Sequence, residues 1–162
     1  MKDKVKHKGH MWVAVANRTG MKVFRYENPS NGVSLVHNIE HPEGYLKDTE
    51  MGTGKPGRSF DRFGTGRHGM GTHQSMAEHV SETFAKHLAK VLDEARMKNE
   101  FSELVLIAEA GFLGLLRKNL SASTSHAVVH SLHKDLGKLP QHELEAYLLG
   151  PLMQELTNKV KV

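Results

Sequence analysis

The sequence predicts an α/β domain built on a mixed five-stranded sheet with helices on its faces. Three observations carry that expectation. Three short β-rich runs separated by turn residues occupy 11–39, apolar residues recur at helical spacing through 75–99, and Leu104 to Ala108 is an unbroken apolar run of strand length. At 162 residues the chain is near the usual size of one domain, for which roughly 70% of the unfolded surface is buried on folding. The expected organisation is a basic tail over 1–9, one domain over 10–156 and a short tail over 157–162.

Met11 to Ala16 and Gly20 to Tyr26 form two runs rich in β-branched and aromatic residues, joined by Asn17-Arg18-Thr19-Gly20, so they predict a hairpin. Gly32 to Ile39 follows the turn cluster Asn28 to Gly32 and continues the meander as a third strand. From about His41 to His73 periodicity is lost. The 22 residues Gly52 to His73 hold seven glycines and almost no aliphatic residue, which predicts a long loop of the kind that is usually functional or disordered. Ala77, Val80, Phe84, Leu88, Val91, Leu92 and Ala95 then mark one face of a long helix over about 75–99. Leu104 to Ala108 predicts a parallel strand buried on both faces. Gly111 to Leu120 predicts a second helix, Ser121 to Ser125 a polar connector, Ala127 to Val129 with its flanks a fifth strand, and Pro140 to Leu156 a third helix. A three-strand meander followed by helix, strand, helix, strand and helix gives a ribonuclease-H-like or translation-component layout, with the last two strands beside the first.

Charge is unevenly spread. The two tails contribute +5 of the net +4, which leaves the body at −1. Within that body, Lys55, Arg58, Arg62 and Arg67 against Asp61 give 52–73 a local +3, so the remainder sums to −4. A basic patch on a mildly acidic body suits a phosphate-rich or otherwise anionic partner. The glycines Gly64, Gly66, Gly69 and Gly71 let the backbone approach such a partner and expose amide donors, while the arginines and His68 supply side-chain donors.

Other chemistries are poorly supported. The chain has no cysteine, which removes disulfides, thiolate metal sites and a cysteine nucleophile. No cofactor is expected: Gly64-Thr65-Gly66-Arg67-His68-Gly69 fits the dinucleotide pattern in letters but follows a loop rather than a buried strand. There is no G-x-S-x-G elbow. Twelve histidines produce the spaced pairs His130/His133, His37/His41 and His68/His73, yet no H-E-x-x-H set, so no metal site is expected. A two-metal nuclease would need carboxylates on the first strand, which has none. Glu109 alone could not hold the ions, and it is read as a solvated strand end. The run Met11 to Ala16 is too short for a signal segment, and no stretch approaches the ~18 apolar residues of a membrane span, so the expectation is a cytoplasmic protein.

Gly57-Arg58-Ser59-Phe60-Asp61, Gly66-Arg67-His68, Phe84-Ala85, Phe101 to Ala108, Gly111 to Arg117, Lys134-Asp135-Leu136 and Leu139-Pro140, in that order, resemble the bacterial family described as proteins required for attachment to host cells. The resemblance covers nearly all of 10–156. That family is similar in turn to the middle domain of archaeal and eukaryotic class-one release factors and of Pelota. It therefore implies an accessory translation factor bound to the ribosome or tRNA, with Lys55, Arg58, Arg62, Arg67 and His68 on RNA and Gln74 as the one candidate for peptidyl-tRNA hydrolysis. The release-factor Gly-Gly-Gln is not contiguous here, because Gly69-Met70-Gly71-Thr72-His73-Gln74 separates its parts, so RNA binding is the expectation, and whether hydrolysis accompanies it stays open. The attachment description implies a different class, an interaction protein serving adhesion. A homo-oligomer formed through the third helix or a sheet edge is a further reading.

Overall fold

A computed structural model describes residues 10–28, 30–45 and 75–161. Five strands form one sheet in the order β3-β2-β1-β4-β5. They are β1 (Met11–Asn17), β2 (Gly20–Asn28), β3 (Gly32–Glu40), β4 (Glu103–Ala108) and β5 (Val128–His133). β1 pairs antiparallel with β2 and parallel with β4, β2 pairs antiparallel with β3, and β4 pairs parallel with β5. The protein is thus a mixed α/β fold on an open five-stranded sheet, compatible with the ribonuclease-H-like layout.

β1 and β4 explain why the sheet is covered twice. Trp12 to Ala16 and Leu104 to Ala108 are all buried, so alternate side chains of both strands must find apolar partners on opposite faces. Trp12, Ala14, Ala16, Leu104, Leu106 and Ala108 meet α1 (Met76–Met97), α2 (Ala110–Asn119) and α3 (Ala122–Ala127). Val13, Val15, Val105 and Ile107 meet α4 (Gln141–Leu149) and α5 (Pro151–Lys161). α1 buries Ser81, Phe84, Ala85, Leu88, Ala89, Leu92 and Ala95, the three- and four-residue spacing of one helical face.

The structure differs from the sequence expectation in two elements. The predicted third helix is two helices, because Pro151 has no N–H to continue α4 and its ring would strike the preceding turn; Pro151 instead opens α5. The stretch Ser121 to Ser125 belongs to a short helix rather than a connector. The Ser121 hydroxyl accepts the Thr124 N–H at 3.2 Å as its N-cap, and the Ser121 N–H donates to Asp93 Oδ1 at 3.1 Å, which ties α3 to α1.

One irregularity re-aims a side chain. Leu104 pairs with Val128 but Val105 pairs with His130, so Val129 is an extra residue in β5 and sits half exposed. His130 is thereby turned to the α4/α5 face, where it is buried with Nε2 3.3 Å from Glu155 Oε2 of α5, although not aligned for a hydrogen bond.

Candidate functional site

The carboxyl ends of β1 and β4 lie side by side, and the chain leaves them in different directions. β1 turns back into β2 through a tight hairpin, while β4 runs into α2 across the first face. Such divergence leaves a crevice at strand ends, the usual location of ligand sites in open α/β sheets.

Four local devices build this edge. Asn17 closes the hairpin: its Oδ1 accepts the Thr19 N–H at 2.8 Å and the Thr19 hydroxyl at 2.7 Å, which leaves Arg18 exposed at the tip. His41, next after β3, stacks on Phe84 of α1 with ring centroids 3.9 Å apart and planes 4° apart. Its Nδ1 lies 2.8 Å from the Arg18 carbonyl, and because a carbonyl only accepts, Nδ1 carries the proton in that contact. Ser75 caps α1 reciprocally, its hydroxyl taking the Glu78 N–H at 3.0 Å while Glu78 Oε1 takes the Ser75 N–H at 3.3 Å. Glu109 caps α2, with Oε1 accepting the Gly111 N–H at 3.0 Å. Glu109, read from sequence as a solvated strand end, is therefore a helix cap.

The single-turn helix Pro42–Tyr45 packs against α1, and Gly44 lies under the backbone of Arg18. Ser75 begins α1 beside the same hairpin. The residues flanking the glycine-rich segment therefore leave and rejoin the fold at one place, the carboxyl edge of β1. Lys55, Arg58, Arg62, Arg67 and His68, the glycines Gly64, Gly66, Gly69 and Gly71, and Gln74 themselves lie outside the described residues.

The histidine pairs do not converge. His130 is buried against α5 while His133 is exposed, and His37 packs edge-on to Trp12 at 5.5 Å while His41 stacks on Phe84. His68 and His73 fall outside the described residues. Among the described residues no group of three histidines and carboxylates is placed to hold a metal ion, and no helix is long and apolar enough to cross a membrane.

What sequence reading missed is a cleft between the first turns of α1 and α2. Arg18, Glu78 and Glu109 stand around it, and Ala77, Phe112 and Leu115 supply its apolar wall. These residues are scattered over 98 positions, so only the sheet order brings them together.

A layered mixed-sheet domain with a ligand-sized cleft at its strand ends is the class that fold and edge define. The chain belongs to the family described as "Protein required for attachment to host cells", whose profile matches residues 12–148. That description concerns attachment and overturns one expectation: the translation, ribosome and release-factor reading drawn from the family's further likenesses is at odds with it. Comparison with curated proteins found no match. A solved structure described as "Archaeal protein" is 8% identical, with a TM-score of 0.45 over 97% of this chain and 42% of that one. The chain thus spans about two fifths of that protein's length.

Proposed function

We propose that this chain is an interaction protein serving attachment to host cells, and that it meets an anionic partner surface through its basic glycine-rich segment. The observation that carries the first part is the family match over 12–148. The second part is supported by charge and by position. Residues 52–73 carry +3 against −4 for the rest of the body outside the tails, and their flanks are held at the same strand-end edge. Lys55, Arg58, Arg62, Arg67 and His68 are the contact residues of this reading, and Gly64, Gly66, Gly69 and Gly71 allow close backbone approach.

The test is adherence of the source bacterium to host cells. Deleting the gene lowers the adherent fraction, wild-type protein restores it, and a variant with Lys55, Arg58, Arg62 and Arg67 all replaced by Ala does not. Adherence equal to the parent after deletion refutes the attachment role. Full restoration by the four-alanine variant refutes the role of the segment alone.

A further inference from the structure

The cleft between α1 and α2 has a charge pattern that selects its ligand. Among the described residues, the Arg18 guanidinium makes no ion pair or side-chain hydrogen bond. Glu78 and Glu109 each commit Oε1 to a helix cap, and among the described residues neither Oε2 has a hydrogen-bond partner. The two caps also offset the positive ends of α1 and α2, so these ends do not by themselves attract an anion. A ligand that fits must present an acceptor to one cation and donors to two carboxylates. A simple anion is repelled by Glu78 and Glu109, and a simple cation leaves Arg18 unpaired. Between those groups the wall is mostly apolar, formed by Ala77, Leu115 and the buried ring of Phe112, with Ser81 the one further polar side chain in its lining. The volume is about 320 Å³, at the small end of ligand sites.

We propose that this cleft binds a free α-amino acid with an apolar side chain. Its carboxylate would pair with Arg18 in the two-pronged geometry guanidinium favours, its ammonium would lie between Glu78 and Glu109, and its side chain would rest on Phe112 and Leu115. This site is distinct from the basic segment and does not depend on the attachment reading.

The test is isothermal titration of the full chain with L-leucine. The expected result is saturable one-to-one binding, weakened at least about tenfold by Arg18→Gln, an exposed change that removes only the positive charge. On the wild-type protein, isopentylamine, which lacks the carboxylate, 4-methylpentanoate, which lacks the ammonium, and glycine, which lacks the side chain, each bind at least about tenfold more weakly than leucine. No saturable heat up to about 10 mM leucine overturns the proposal, as does an Arg18→Gln variant that binds leucine unchanged. If either single-charge analogue binds as tightly as leucine, recognition of a zwitterion is refuted. If glycine does, the apolar wall plays no part.

Discussion

Two glycine-to-alanine substitutions, chemically the same, should move stability in opposite directions. A Cβ placed on Gly44 would stand 1.9 Å from the Arg18 carbonyl oxygen, 2.6 Å from its carbon and 3.1 Å from Thr19 Cα. Comfortable contact needs about 3.5 Å, and what stands in the way is backbone rather than the end of a flexible side chain. Neither side moves freely: the Gly44 N–H donates to the His41 carbonyl at 2.9 Å, and the His41 N–H donates to the Thr19 carbonyl at 2.8 Å. Forcing the turn away from the hairpin should cost about 1–3 kcal/mol, as overpacking does. For a domain of this size that lowers Tm by roughly 2–12 °C. Gly114 is the control. It lies inside α2 with nothing within 4 Å of its would-be Cβ, so alanine there adds helix propensity without a clash. The gain is about 0.5–1 kcal/mol, or roughly 1–4 °C in Tm. Differential scanning calorimetry of the two variants and the parent measures both. An unchanged or raised Tm for Gly44→Ala would show that Pro42–Tyr45 does not lie under Arg18, and would remove the anchor of the glycine-rich segment from this edge.

Two further substitutions test the core and the cap. Leu88→Ala, in the fully buried face of α1, should cost about 2–5 kcal/mol, read as a lower urea midpoint at unchanged slope; a loss under 1 kcal/mol would contradict the packing of α1 on the sheet. Ser75→Ala removes the hydroxyl half of the α1 capping arrangement while keeping the backbone N–H that donates to Glu78, and should cost about 1 kcal/mol, with roughly fivefold faster hydrogen exchange at the Glu78 amide if that turn opens locally. Unaltered exchange there would show that Ser75 does not cap the helix.

Much of the sheet was legible because its signals are local. The alternation of β2, the Asn17 to Gly20 turn and the continuous apolar run of β4 each speak through neighbours in sequence, and burial of β4 on both faces follows from that run. The two misread stretches also held local signals, but competing ones. Ser121 to Ser125 is polar enough to resemble a connector, although a serine N-cap is what opens α3. Pro140 to Leu156 keeps apolar spacing across the break, and only Gly150-Pro151 marks the end of α4. The cleft was not legible at all. Arg18 read as a turn residue, Glu109 as the end of a strand and Phe112 as part of a second helix, and they meet only because β4 pairs with β1. The basic segment was legible as composition, but composition does not identify a partner. The charge pattern called only for an anionic partner; the narrowing to a translation role came from resemblance, and the family description is at odds with that role.

The basic segment and the cleft make opposite electrostatic demands, and that separates them experimentally. Lys55, Arg58, Arg62 and Arg67 give the segment a surplus of positive charge, whereas Glu78 and Glu109 outnumber Arg18 at the cleft. An extended anionic surface is therefore attracted by the segment's charges and repelled by the carboxylates of the cleft, so it should engage the segment without entering the cleft. Binding that depends on several charges acting over a distance weakens as salt shortens the screening length, which is about 8 Å at physiological ionic strength and about 3 Å at 1 M. A zwitterion has no net charge, and its contacts with Arg18, Glu78 and Glu109 would be short, so its binding should respond far less to salt. Raising salt from 0.15 to about 1 M should then abolish adhesion to an anionic surface while leaving most of the leucine affinity. If both fall together, one shared set of charges serves both ligands, and the separation into two sites is wrong.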